Sequence, residues 1–242
     1  MKSRRLTETD IANLAFKSRD AKYARLVNLE RPKAVVGSYE PFRRSNGDAV
    51  NLQLPLIAEA QEPSSLDALE AVVAKACKGD PELLAMNLPI ARATHAFASE
   101  NGIIAIHEEV RSLVLPYGHA YQFGMPLLMV YPDGRVVAVF PDLRRTDALT
   151  SIGKRAVFSL MHHRWRENNP DLRELGLQIW RYKNSASRDV EAIDCDESLL
   201  FTYEQIIDDV RETYDIWHEV LREASLGRRT IAAGPGPLFG AA

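Results

Sequence analysis

Apolar residues recur at helical spacing in two neighbouring stretches, residues 64–79 and 80–102. The first stretch opens with Ser64-Ser65, which can cap a helix, and closes near Gly79. The second opens with Asp80-Pro81, a carboxylate at the N-cap followed by proline at the first helical position, and closes at Asn101-Gly102. The pattern predicts two consecutive helices, the second kinked or divided at Pro89.

Runs of apolar and β-branched residues indicate a sheet in the second half of the chain. Residues 125–131 and 135–140 flank Pro132-Asp133-Gly134, which is favourable turn chemistry, so we expect an antiparallel hairpin. Residues 103–123 should hold one or two further strands. Another strand is predicted over 175–182, paired with residues 189–194.

Two more helices follow from capping signals. Thr150 caps a predicted helix to about Asn168, and Thr202 opens a capping box for a final helix to about Ala224. Apolar residues of the final helix alternate at spacings of four and three, which forms a heptad seam: Tyr203, Ile207, Val210, Tyr214, Trp217, Leu221 and Ala224. We expect the seam to pack on the chain's own sheet, because aromatic residues suit a core. The alternative is a homodimer interface centred on Tyr214, Trp217 and Leu221.

The two ends of the chain are less regular. A first helix is predicted over residues 8–29, followed by an irregular arm to residue 63, with short strands at 33–38 and 49–57. The Gly-, Pro- and Ala-rich tail, 226–242, is expected to be disordered. The predicted fold class is therefore α+β. Residues 64–225 form a small mixed, antiparallel-rich sheet flanked by helices, and residues 1–63 form an N-terminal helical arm.

Composition narrows the function classes. The 242 residues carry 30 basic and 33 acidic side chains, so any anion-binding surface must come from local clustering. Cys77 and Cys195 lack metal-ligand spacing, which favours two reduced thiols in a reducing compartment. The chain shows no signal peptide and no stretch near the ~18–20 apolar residues of a membrane span. We therefore expect a cytoplasmic protein without a membrane partner.

One resemblance involves the order helix, three strands, helix, strand from residue 80 onward, together with Asp142-Leu143-Arg144 at the end of the third strand. This order is similar to the core of the PD-(D/E)xK nucleases. The resemblance implies a divalent metal as cofactor, with Asp142 as a catalytic metal ligand and Arg144 at the position of the family's lysine. If the chain were an enzyme, it would be a metal-dependent phosphodiesterase. Otherwise the sequence implies no cofactor.

The chain departs from that family at two points. Residues 119–129, where the partner acid would lie, contain no carboxylate, and Arg144 is a poor proton-exchanging substitute for lysine. The structural alternative is that Asp142 pairs with Arg144 or Arg145, or caps the turn that follows.

Basic residues cluster after this motif. We interpret a set of six side chains as candidate phosphate contacts of a nucleic-acid-binding surface: Arg144, Arg145, Lys154, Arg155, His162 and Arg166. The alternative is a solvated face that pairs with the acidic C-terminal helix. Adjacent residues on a helix diverge by about 100°, so His162 and His163 are not expected to share one metal.

Two functional hypotheses result. The first is a nucleic-acid-associated protein with a degenerate nuclease-like core that binds phosphate through the basic helix. The alternative is a non-catalytic protein–protein interaction module, homodimeric through its C-terminal helix. Because the second acid of a metal site is missing, the sequence favours binding over catalysis.

Overall fold

The fold is described from a computed structural model of the chain. It describes residues 5–31, 38–53 and 62–232, with side chains to residue 226. The helices are α1 (Glu8–Leu14), α2 (Arg19–Glu30), α3 (Glu40–Arg44), α4 (Asn46–Ala49), α5 (Leu66–Ala76), α6 (Pro81–Glu100), α7 (Ser151–Met161) and α8 (Tyr203–Ala232). The strands are β1 (Leu52–Gln53), β2 (Ile104–His107), β3 (Leu113–Val114), β4 (Ala120–Tyr121), β5 (Leu127–Val130), β6 (Val136–Asp142), β7 (Gly176–Tyr182) and β8 (Val190–Asp194).

Six strands form one mixed sheet in the order β1-β2-β5-β6-β7-β8. Strand β5 runs antiparallel to both of its neighbours, β2 and β6, whereas β6 and β7 run parallel and are connected through α7. Strand β8 returns antiparallel to β7, and β3 pairs with β4 in a separate hairpin. The predicted α+β class, with a mixed and antiparallel-rich sheet, is confirmed.

The sheet separates two hydrophobic cores. On β6, Ala138 and Phe140 belong to one core, and Val137 and Val139 belong to the other. This alternation follows from the two-residue period of a strand. Helices α1, α2, α7 and α8 supply the first core, and α3 to α6 supply the second. Both faces of β6 are therefore covered, and only its ends and edges are left for a site.

Capping chemistry explains the elements that the sequence predicts well. The Asp80 carboxylate accepts the N–H groups of Glu82 and Leu83 at 2.9 and 3.1 Å, as expected at an N-cap. The predicted hairpin is confirmed as β5 and β6, with Gly134 at φ 85° in its turn. Helix α6 is not divided at Pro89, since proline removes only one bond of the helical ladder.

The first predicted helix is wrong in extent. Instead of one helix over 8–29 there are two, separated around Phe16, which has a left-handed φ of 54°. The Ser18 hydroxyl then accepts the Ala21 N–H at 3.4 Å and opens α2. A serine in a predicted helix interior was thus the N-cap of the next helix, because its side chain competes for backbone donors.

The arm and the tail also contain more helix than predicted. Helices α3 and α4 lie in the stretch expected to be irregular. Of the predicted 49–57 strand, residues 49–53 are described: α4 ends at Ala49, and β1 covers only Leu52–Gln53. The 33–38 strand lies almost wholly outside them. Helix α8 continues to Ala232 through good helix formers, into the predicted tail. Residues 233–242 of the tail lie outside the described residues. Helices α1 and α2 pack against α7 and α8, while the domain boundary at residue 63 stays a prediction.

Within the part of the chain that the structure describes, no helix combines the length and apolar character that crossing a bilayer requires.

Candidate binding cleft at the end of strand β6

Asp142 is the last residue of β6 and is only 1% exposed. Its Oδ2 accepts the Leu149 N–H at 2.9 Å, so the carboxylate caps the turn after the strand, one of the structural roles considered from the sequence. Its Oδ1 has no hydrogen-bond partner among the described residues. Burial raises the pKa of Asp142 above its ordinary value of 3.8.

The surroundings of Asp142 do not fit the metal that the nuclease resemblance implies. Among the described residues, no three His, Cys, Asp or Glu side chains come close enough together to hold a metal ion. The charged groups that act on the Asp142 carboxylate include Arg144, Arg181 and Arg188, which are cations. The catalytic roles of Asp142 and Arg144 therefore stay predictions without a metal-binding geometry to support them.

Arg144 pairs with α1 instead of Asp142. Its two terminal nitrogens donate to Asp10 Oδ1 at 2.8 Å and to Thr7 Oγ1 at 2.7 Å. Burial acts to raise the pKa of Asp10, but the hydrogen bond and charge of Arg144 outweigh it, so the pKa lies below its usual value. The arginine thus joins the end of β6 to the start of the first helix.

Three arginines of the basic segment satisfy the chain's own acceptors. Arg164 is 2% exposed and donates to the carbonyl oxygens of Phe123, Val110 and Arg111 at 3.1, 3.0 and 3.3 Å, and burial lowers its pKa to about 10. The other two are Arg166, which donates to Leu175 O at 2.6 Å and Glu197 Oε1 at 2.7 Å, and Arg155, which donates to Leu199 O and lies 3.7 Å from the ring centroid of Phe201.

The two adjacent histidines contact one carboxylate. A π-helical turn, His162–Glu167, follows α7, and both rings reach Glu167: His162 Nε2 lies 3.4 Å from it, and His163 Nδ1 is hydrogen-bonded to it. Burial lowers the pKa of His162. Of the six predicted phosphate contacts, Arg145 is exposed and Lys154 half-buried, and the charged groups of these two side chains have no hydrogen bond or ion pair to another described residue. Their role in nucleic-acid binding stays a prediction.

The heptad seam of α8 faces inward from Val210 to Trp217, whereas Tyr203 at its start is 37% exposed. Tyr214 and Trp217 are 0% and 1% exposed and lie in the core shared with α1, α2 and α7, while Leu221 is half-buried against it. This confirms packing on the body of the chain. A homodimer through these three residues stays a prediction, and it would require the two aromatic side chains to leave the core.

A cleft lies beside the end of β6, between that strand, the start of α1 and helix α3. Its volume is about 470 Å³, within the range of ligand sites. Apolar and polar side chains both line it, among them Tyr39, Phe42, Arg43, Asn46, Met125, Phe140, Leu143 and Arg144. Sequence reasoning identified the β6 side of this cleft. It missed the α3 side, since that stretch was expected to be irregular and only the tertiary fold brings it here.

Comparison with known proteins adds a family. The family model described as the sliding clamp-binding bacterial toxin SocB matches residues 9–225 of the chain. The DNA replication inhibitor toxin SocB of Caulobacter vibrioides (strain NA1000 / CB15N) is 28% identical over 236 residues, which cover 97% of each protein. No solved structure matches.

Proposed function

The chain belongs to the family of sliding clamp-binding bacterial toxins, SocB, and on that premise we propose that it binds a bacterial sliding clamp and inhibits DNA replication. The observation that carries the proposal is the match of the family over residues 9–225, which span both cores except Leu6 and the cleft except Thr7 and Glu8. Similarity to the Caulobacter toxin from end to end supports the same conclusion. Such a protein acts where the replication machinery is, in the cytoplasm.

Clamp binding is a protein–protein interaction, so the family supports the interaction-module hypothesis more than the nuclease-like one. The distribution of charge agrees with this choice. Arg155, Arg164 and Arg166 donate to acceptors of the chain itself, which leaves few cations of the basic segment for phosphate. Sequence-independent DNA binding depends on such free cations.

The direct test is titration of the purified chain with a purified bacterial sliding clamp, measured by calorimetry. We expect saturable binding. In a primer-extension assay the chain should slow a polymerase that depends on the clamp and leave a clamp-independent polymerase unaffected. Induced expression should arrest DNA synthesis, measured by incorporation of labelled thymidine.

The controls separate the clamp from DNA. Titration with duplex and single-stranded DNA at low salt should give binding much weaker than the clamp gives. Equal inhibition of both polymerases, with binding to the DNA template, would support the nucleic-acid hypothesis instead. If the chain neither bound the clamp nor slowed clamp-dependent extension, the proposal would be overturned.

A further inference from the structure

Strand β6 is longer than its neighbour on one side. Its pairing with β5 covers Val136 to Ala138, whereas its pairing with β7 continues to Asp142. On the β5 side, one further backbone hydrogen bond follows, in which the Met125 N–H donates to Val139 O at 2.8 Å. Beyond Val139, no described strand pairs with this edge of β6. An unpaired strand edge is a template for another extended segment.

The direction of the free backbone groups follows from the register. Val139 presents its carbonyl to the β5 side, and strand residues two apart face the same way, so Pro141 also presents its carbonyl to that side. Proline has no N–H, so this edge offers an acceptor and no donor at residue 141. The cleft lies on this edge, since Phe140, Pro141 and Leu143 line it.

A second acceptor lies just beneath the cleft wall. Asn46 lines the cleft and is 6% exposed, and its Nδ2 faces the sulfur of Met125. Its Oδ1 is buried and has no hydrogen-bond partner among the described residues. This oxygen is buried beneath the wall, so the backbone acceptor that the β6 edge itself offers to an occupant is the Pro141 carbonyl.

The rim of the cleft carries a cation that the described part of the chain does not neutralise. Arg43 is exposed, and its guanidinium has no ion pair or hydrogen bond with another described residue. The other two charged residues of the lining are engaged: Glu8 pairs with Arg5 at 2.7 Å, and Arg144 pairs with Asp10. The charge left for an occupant is therefore positive.

We propose that this cleft binds an extended peptide segment of a partner protein, with its N–H groups towards the β6 edge and an acidic side chain at Arg43. Apolar residues of the segment would contact Phe42, Met125 and Leu143 in the cleft. A peptide fits better than a nucleic acid, because a peptide supplies backbone N–H donors to a strand edge while phosphates would find one free arginine. This inference goes beyond the proposed function and does not depend on clamp binding.

The test is an unbiased selection of random heptapeptides displayed on phage against the full chain. We expect the enriched sequences to share apolar residues and an Asp or Glu. Synthetic peptides of those sequences, measured by fluorescence anisotropy, should bind Arg43→Glu at least about tenfold more weakly than the wild type. Methylation of the peptide backbone nitrogens should weaken binding to a similar degree.

Arg44→Glu is the matched control. Arg44 lies on the same helix, is also exposed and does not line the cleft, so its reversal should change affinity by less than about twofold. Failure to enrich any sequence, or equal binding of the enriched peptides to Arg43→Glu, would overturn the inference. A labelled single-stranded oligonucleotide serves as the competing probe. If Arg43→Glu lowered the affinity for the oligonucleotide and left the affinity for the peptides unchanged, the occupant would be nucleic acid.

Discussion

The basic segment 144–166 and the cleft rim at Arg43 show two uses of arginine beside one strand. In the segment, Arg164 and Arg166 are buried and donate to backbone carbonyls, and each lies opposite irregular chain. At the rim, Arg43 is exposed, and its guanidinium has no acceptor among the described residues. A dense run of basic residues in a sequence therefore does not by itself indicate a positive surface. A single arginine in a stretch expected to be irregular can contribute more positive charge to the surface.

The difference has a physical cause. Carbonyls of irregular segments such as Val110, Arg111 and Phe123 have no ladder to pair with, and a guanidinium offers five donors in a rigid fork. Burial of such a cation is costly unless its donors are used. Arg164 meets this condition with three carbonyls, so it connects β3 and β4 to the end of α7 as an internal cross-link.

The largest effect that would test this comparison is expected for Arg164→Ala. The substitution leaves a large cavity and three carbonyls without their donor, the Phe123 oxygen among them being buried, and should lower the free energy of unfolding by about 4 kcal/mol. Urea denaturation followed by tryptophan fluorescence measures the change. Arg164→Lys should recover only part of the loss, since a single ammonium cannot reach all three oxygens. A loss below about 1 kcal/mol would mean that Arg164 is not a cross-link.

The second-largest loss of stability is expected at Lys22, a buried cation outside the basic segment. Lys22 is fully buried, and its Nζ lies 2.7 Å from Asp209 Oδ1 and 2.5 Å from Glu212 Oε2. Lys22→Met preserves the apolar stem but leaves Asp209, whose side chain is only 10% exposed, with the Phe16 N–H and without its ion pair. We therefore expect a loss of about 3 kcal/mol in urea denaturation. Arg19→Met is the control, because the Arg19–Glu219 pair is exposed and contributes little. Equal losses of unfolding free energy in the two variants would contradict the expected difference between a buried and an exposed ion pair.

Asp142 provides a smaller and pH-dependent effect. Asp142→Ala removes the acceptor of the Leu149 N–H and should cost about 2 kcal/mol, whereas Asp142→Asn retains an oxygen acceptor. Burial raises the pKa of Asp142 in the folded state, so the protonated carboxyl is favoured there. This contribution to stability is fully present below pH 3.8 and is lost as pH rises through the higher folded-state pKa. Asp142→Asn should therefore gain stability relative to the wild type from about pH 4 upward.

Urea denaturation of both Asp142 variants and the wild type at several pH values between about 3 and 7 tests this sign. A metal-binding carboxylate would behave differently, since the wild type and not Asp142→Asn would be stabilised by a divalent cation. A rise in the melting temperature of the wild type alone on adding Mg²⁺ or Mn²⁺ would restore the nuclease-like interpretation.

The elements most predictable from the sequence are those whose signals are local. Ser65, Asp80 and Thr150 cap the helices that they were expected to cap, and apolar runs around a Pro-Asp-Gly turn specify the central hairpin. The break at Phe16 had one local signal, the N-cap serine Ser18, but nothing about an aromatic residue marks a left-handed φ. Local chemistry thus determines where most elements start, while chain reversals that depend on packing remain hidden.

The candidate site was predictable on one side only. The hairpin end at Asp142 and Arg144 was found, but the acceptors of the basic residues come from distant parts of the chain. Arg164 donates to residues 41 to 54 positions earlier, and Arg144 pairs with Asp10, 134 positions away. Whether a cation is free depends on these long-range contacts, which periodicity and spacing do not contain.

The smallest effect is expected where the comparison predicts free cations. Arg145 and Arg43 are exposed, and their guanidinium groups have no partner among the described residues. Arg145→Glu and Arg43→Glu should therefore each change the free energy of unfolding by less than about 0.5 kcal/mol in urea denaturation. Their use in binding should nevertheless differ, because Arg43 lines the cleft and Arg145 does not. Arg43→Glu should weaken binding of the selected peptides, whereas Arg145→Glu should leave their affinity within about twofold of the wild-type value. A stability loss above about 1 kcal/mol in either variant would show that the residue is held by contacts of the chain itself, which would remove it from the set of free cations.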